Sequence, residues 1–119
     1  MSTNCFGTIN SGRNLIRSPN YPDEYPQELN CTWELKVPLG KRILLHFDKF
    51  DTYEKFDYLI VYDGPQNEDK ILASLSGKIL KDIQSTSSKL SLRFTTTKKN
   101  EIFTGFQIRY DGKKISLFF

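Results

Sequence analysis

Apolar and polar side chains alternate with a period of two along much of this chain, and no window shows a 3.6-residue period. From Cys31 to Val37, Cys31, Trp33, Leu35 and Val37 fall on one side and Thr32, Glu34 and Lys36 on the other. That is the pattern of a half-buried strand, with Trp33 as core anchor. Arg42 to Asp48 repeats it: Ile43, Leu45 and Phe47 alternate with Arg42, His46 and Asp48, and Leu44 is the exception. Pro38-Leu39-Gly40-Lys41 between them predicts a turn, so the two strands are expected to form a hairpin.

Asp57 to Asp63 is apolar on both faces and is expected to lie centrally, ending at the turn formers Gly64 to Asp69. Ile71 to Leu75 is a short strand closed by Gly77, and Lys89 to Phe94 and Gly105 to Tyr110 alternate again around a polar loop, Thr95 to Thr104. Asp111-Gly112 predicts a turn into an apolar tail, Ile115 to Phe119, read either as a last strand or as a tail. Between Asn4 and Asn30 the turn formers Gly12, Ser18-Pro19-Asn20-Tyr21-Pro22 and Tyr25-Pro26 exclude a helix and leave only a short edge strand near Thr8-Ile9. Several short alternating strands between turn signals predict an all-β protein, an antiparallel sandwich or barrel.

The totals narrow the function classes. A chain of 119 residues is one domain, and 38% hydrophobic with 13% aromatic content supports a folded core. The net charge of +3 comes from dispersed Lys and Arg, which does not make a nucleic-acid footprint but leaves an anionic glycan open. No stretch reaches the ~20 apolar residues of a membrane span, so no membrane insertion is expected. Cys5 and Cys31 are compatible with one disulfide, worth roughly 3 kcal/mol by chain entropy, or with two buried thiols. Asn30-Cys31-Thr32 is an N-glycosylation sequon.

Candidate chemistry concentrates in Phe47 to Gly64, where Asp48, Asp51, Glu54, Asp57 and Asp63 stand among six Phe and Tyr rings. Dense carboxylates suggest an oxygen-ligand cation site or an acidic face for a basic partner. His46 is the only histidine, which excludes multi-histidine zinc sites, and its place on an outward strand face reads as solvated rather than catalytic. Asp51 and Asp57 as a glycoside-hydrolysing pair would have to face each other at ~5–9 Å. No nucleophile elbow or reactive cysteine is present, and enzyme is the weakest reading.

The order of several segments carries a resemblance. It runs through Cys5, Ser18-Pro19-Asn20-Tyr21-Pro22 with Tyr25-Pro26, Cys31-Thr32-Trp33, Pro38-Leu39-Gly40 and Phe47 to Asp51. It continues through Asp57-Tyr58-Leu59, Tyr62-Asp63-Gly64, Leu75 with Gly77, and Gly105-Phe106 with Tyr110. Together these resemble the CUB domain over residues 5–110, with 1–4 outside as linker and 111–119 as tail or last strand. The resemblance implies a two-sheet, jellyroll-like sandwich in secreted or cell-surface proteins, a Cys5–Cys31 disulfide and no catalytic activity. It also implies a recognition role, as in complement-type proteases, developmental metalloproteases, endocytic receptors and spermadhesins. Many members bind Ca²⁺ through acids at one end, and the ion orients carboxylates that grip a basic side chain of the partner.

This chain departs from that pattern. The positions implied for a second disulfide carry Glu54 and Ser76. Of three implied calcium acids only Asp57 is in register; the first position is Tyr53 and the third is nearest Thr97, followed by Lys98 and Lys99. No cofactor is therefore expected, with Asp57 and Glu54 as residual metal candidates for at most a weak Ca²⁺ site. The expected function is protein binding through the 51–57 and 95–104 loops, with Tyr53, Glu54, Asp57, Lys98 and Lys99 as contact residues. One alternative is glycan or polyanion binding on Lys41, Arg42, Lys98, Lys99, Lys113 and Lys114; another is a structural repeat in a longer secreted protein. Phe47, Phe50, Phe56, Tyr58, Leu59 and Val61 are expected in the core.

Overall fold

The computed structural model describes residues 3–4, 8–10, 14–64 and 70–114. Among these, no α-helix forms, and the strands are β1 Thr3–Asn4, β2 Thr8–Asn10, β3 Leu15–Arg17, β4 Leu29–Lys36, β5 Lys41–Asp51, β6 Tyr58–Asp63, β7 Ile71–Leu75, β8 Asp82–Gln84, β9 Lys89–Thr95 and β10 Gly105–Lys114. They make two five-stranded sheets, ordered β1-β4-β9-β6-β7 and β2-β3-β10-β5-β8. Every pairing is antiparallel except the short parallel match of β1 with β4.

The period-two pattern decides which faces meet. In β4, Leu29, Cys31, Trp33 and Leu35 are buried while Asn30, Thr32, Glu34 and Lys36 are exposed. The two inner faces lock through rings: Phe94 of β9 meets Phe106 of β10 edge-on at 5.0 Å, and Trp33 meets Phe106 at 5.8 Å. Phe106 then stacks on Phe50, which meets Phe47 edge-on. Such pairs contribute about 0.5–1.5 kcal/mol each beyond the area they bury.

The predicted β4–β5 hairpin does not form. Both edges of β4 are filled, by β1 and β9, so the Pro38–Gly40 turn carries the chain across to the other sheet. There β5 pairs with β10 from Asp51 opposite Gly105 to Lys41 opposite Lys114. The register shifts once, between Gln107 and Ile108, leaving Asp48 as the extra residue on β5. This bulge resets the alternation, which is why Phe47 and Phe50, three positions apart, both point inward.

Asp111-Gly112 is not a turn either: β10 continues through it, opposite Leu44 and Ile43 of β5. Gly112 permits close packing there, since a Cβ would lie 3.2 Å from the side chains of Val37 and Lys41. The tail expected at 115–119 falls outside the described residues. Strands β1, β3 and β8 were not foreseen; β8, three residues with Ile83 alone buried, is too short to establish a period, and its pairing with Leu44–His46 of β5 defines it.

Candidate functional site

The Thr52–Asp57 connection between the sheets begins with a tight turn. The Phe56 and Asp57 amides both donate to the Tyr53 carbonyl, at 3.1 and 2.9 Å, and Lys55 takes a left-handed backbone with φ of 70°. That geometry turns Glu54, Lys55 and Phe56 outward and Asp57 inward. Two further segments pack against it. The loop before β10 is tied to the 25–29 segment where Tyr25 N donates to Phe103 O, Gln27 Nε2 to Lys99 O, and Thr96 N to Leu29 O. Ser18 fastens the start of β10, accepting from the Phe106 amide through Oγ and donating its own amide to the Phe106 carbonyl.

Asp57 is the node at which these segments meet, and it is wholly buried. Its Oδ1 accepts from the Thr97 amide at 2.8 Å and the Thr97 hydroxyl at 2.7 Å; its Oδ2 accepts from the Tyr25 hydroxyl at 2.7 Å. Lys99 Nζ lies 3.5 Å from Oδ2, with both side chains at 0% exposure, and 4.2 Å from the centroid of the Tyr25 ring. The Tyr25 hydroxyl in turn accepts from the Tyr53 amide at 3.1 Å. Burial, and then the hydrogen bond to the Asp57 carboxylate, push the Tyr25 phenol well above its usual range, so it serves as a permanent donor.

Outside this node the end of the sandwich is aromatic. Tyr53 is sandwiched between Phe56 at 4.5 Å and Phe103 at 5.3 Å, both nearly parallel to it. Phe56, expected in the core, is 54% exposed, and Ile102 beside Phe103 is 72% exposed. The tight turn explains this: it spends the inward position on Asp57 and leaves Phe56 to cap the ring stack from outside. A groove of about 480 Å³ runs beside the stack, lined by Tyr53, Phe103, Asp51, Glu54, Glu101 and Lys78, among others.

Where a second disulfide was implied between positions 54 and 76, hydrogen bonds of Ser76 and of flanking residues join the two segments instead. Ser76 Oγ accepts from the Lys55 amide at 2.7 Å and donates to the Tyr53 carbonyl, while Thr52 and Gly77 exchange two bonds. The Glu54 side chain lies along Gly77, with Oε1 3.0 Å from where a Gly77 Cβ would be.

These placements test the residues against a calcium ion. Asp57 already has two donors on Oδ1, with the Tyr25 hydroxyl and the Lys99 ammonium on Oδ2. The Tyr53 ring is stacked, the Glu54 chain is along Gly77, and Thr97 supplies donors where an acid would be a ligand. Among the described residues no three His, Cys, Asp or Glu side chains converge. Ca²⁺ takes six to eight oxygens, several of them anionic. This donor set does not fit one.

Of the expected contact residues, Tyr53, Glu54 and Lys98 reach the surface, Lys98 at 80% exposure and paired with Glu28 at 3.3 Å. Asp57 and Lys99 are buried and offer a partner no side-chain surface. The basic residues split into two places: Lys114 faces Lys41 and Lys113 faces Arg42 across β5 and β10, at the end of that ladder away from Asp51 and Gly105. Asn30 is exposed on β4 and accepts from Arg93 Nε at 3.0 Å. Cys31 is buried and disulfide-bonded; Cys5 lies outside the described residues. His46 sits on the outer face of β5, its Nδ1 2.8 Å from Asp82. The sequence reading missed Tyr25 as a partner of Asp57 and Phe103 as part of the ring stack. Both sit in segments without periodicity, where no signal marks an inward side chain.

A model of the CUB domain family matches residues 5–110. Tolloid-like protein 1 of Homo sapiens is 37% identical over 97 residues, which is 77% of this chain but 10% of that protein. The CUB1-EGF-CUB2 structure of human MASP-1/3 superposes with a TM-score of 0.76 at 33% identity, over 85% of this chain and 41% of that one. The MASP-1 CUB2 domain, solved bound to Ca²⁺, superposes at 0.71 with 24% identity over 92% of this chain and 98% of that one, a likeness of fold. The chain thus spans a small part of the longer proteins it matches. With the matched residues covering nearly the whole described sandwich, this chain belongs to the CUB domain family.

Proposed function

We propose that this domain is a non-catalytic, extracellular recognition module whose contact surface is the loop end built by residues 51–57 and 95–104. The observation that carries this reading is the ring stack Phe56–Tyr53–Phe103, anchored on the core through half-buried Phe103 and ending in exposed Phe56, with exposed Ile102 beside it. Rings held rigid by stacking bury large area at low entropic cost, and a few such anchors supply most of the energy of protein interfaces. Glu54, Glu101 and Lys78, which line the groove beside the stack, provide a polar rim of both signs. Against catalysis stand two placements: the Asp57 carboxylate is engaged by its buried partners, and the lone His46 lies on an open strand face beside Asp82. As in the relatives, the domain would act as one unit of a longer secreted or cell-surface protein, with Cys5 as the partner of Cys31. Among the described residues no helix is long and apolar enough to cross a membrane.

A binding screen against secreted and cell-surface proteins tests the surface. For any partner found, Phe56→Ala or Tyr53→Ala is expected to weaken binding at least tenfold, more than ~1.4 kcal/mol. Leu39→Ala, at a residue 91% exposed in the Pro38–Gly40 turn, is expected to bind as the parent does. Partners bound equally by all three variants would remove the loop end as the contact surface.

A second reading is favoured by the cross-strand pairs Lys114–Lys41 and Lys113–Arg42. Like charges directly opposite each other on a sheet repel unless an anion lies near. If the outward-facing Arg42–Lys113 pair takes a polyanion, the domain will be retained on heparin to high salt, and Arg42→Gln with Lys113→Gln will elute markedly earlier. Low-salt elution of the unmodified domain removes this reading.

A further inference from the structure

We infer that the Lys99 ammonium is the built-in cation of the loop end, holding together the segments around Asp57 without a divalent ion. A lysine side chain is almost never fully buried unless it is paired, and Lys99 is at 0% exposure. Its Nζ has the Asp57 carboxylate at 3.5 Å and the face of Tyr25 at 4.2 Å, a negative charge and the negative face of a ring. The three groups come from three separate parts of the chain, so the ammonium joins the 25–29 segment, the 52–57 turn and the loop before β10. Its backbone is fixed independently, because the Lys99 carbonyl accepts from Gln27 Nε2 at 2.8 Å.

A positive charge is already present beside the Asp57 carboxylate. A divalent ion entering here would meet a buried ammonium in a low-dielectric setting, where like charges repel strongly. It would also have to strip Asp57 of the donors from Tyr25 and Thr97. The Asp57–Lys99 pair itself balances one carboxylate against one ammonium. The ring stack rests directly on it, since the Tyr53 amide donates to the Tyr25 hydroxyl. The shape of the proposed contact surface is then set by Lys99; that functional consequence rests on the reading above, whereas the electrostatic assignment does not.

Thermal unfolding of the domain separates the two, because it needs no partner. The melting midpoint is expected to be the same in millimolar CaCl₂ as in EDTA; a rise of several degrees with Ca²⁺ overturns the assignment. Lys99→Met keeps the apolar stem and removes the charge, and is expected to lower the midpoint by about 10 °C or more, since an uncompensated carboxylate stays buried. Adding Asp57→Asn to Lys99→Met is expected to recover a large part of that loss, because no charge is then left unpaired. A Lys99→Met protein as stable as the parent overturns the assignment, and so does a double variant no better than the single one. If Lys99→Met does not fold, the double variant decides alone: folding supports the assignment, and failure to fold overturns it.

Discussion

Replacing Asp57 by alanine is expected to be among the most damaging single changes in this domain, costing about 3–5 kcal/mol and lowering the melting temperature by about 10–20 °C. The magnitude follows from what is left behind rather than from what is removed. The Lys99 ammonium would remain buried with no anion, and the Tyr25 hydroxyl and both Thr97 donors would lose their acceptor. Each abandoned buried donor costs about 1–3 kcal/mol, and the charged one costs most. Asp57→Asn keeps the shape and an acceptor for Thr97 but still strands the ammonium, so it should fall between the parent and the alanine variant. Melting curves of the three proteins check this. An Asp57→Ala protein within ~1 kcal/mol of the parent would mean that water reaches the node and rehydrates it.

Gly105→Ala is the second large effect, expected at about 2–5 kcal/mol, from the left-handed backbone and from overpacking together. Gly105 opens β10 at φ of 86°, and a Cβ there would overlap Ser18 Oγ and come within 3.3 Å of Tyr25 Cδ2. Ser18 cannot simply yield, because its hydroxyl holds the Phe106 amide at 3.0 Å. Gly40 and Gly64 are the internal controls. They share the backbone, at φ of 89° and 92°, but face open space, so alanine there should cost only ~1–2 kcal/mol for the conformation itself. Ser18→Ala combined with Gly105→Ala should relieve only part of the strain, since Ser18 Cβ would still lie 2.8 Å away. Denaturant unfolding of these four variants tests the ordering, and equal losses at Gly40 and Gly105 would refute the steric account.

How far residues alone reveal such a site can be judged from particular positions. Trp33, Leu35, Leu45, Leu92 and Phe106 were legible because strand side chains alternate strictly, and an apolar residue on the correct parity has one place to go. Phe56 was misplaced for the same reason run in reverse: it lies in a turn, where parity no longer tells inside from outside, and the chain there buries Asp57 instead. The hairpin expected at Pro38–Gly40 failed because local turn chemistry reports only a reversal of direction. Whether the reversed strand joins the same sheet depends on which edges other strands have already taken.

The sequence by itself determined the all-β class, the inward faces of β4 and β9, and the CUB resemblance. Period-two alternation and residue identity are local properties, readable without knowing what lies opposite. Only the tertiary structure decided that β4 and β5 belong to different sheets, that β10 runs on through Asp111-Gly112, and that Lys99 turns inward to Asp57. Strand partners and buried charge pairs are set by segments distant in the chain. A lysine in a polar loop reads as solvated until the carboxylate and the ring that enclose it are both in place.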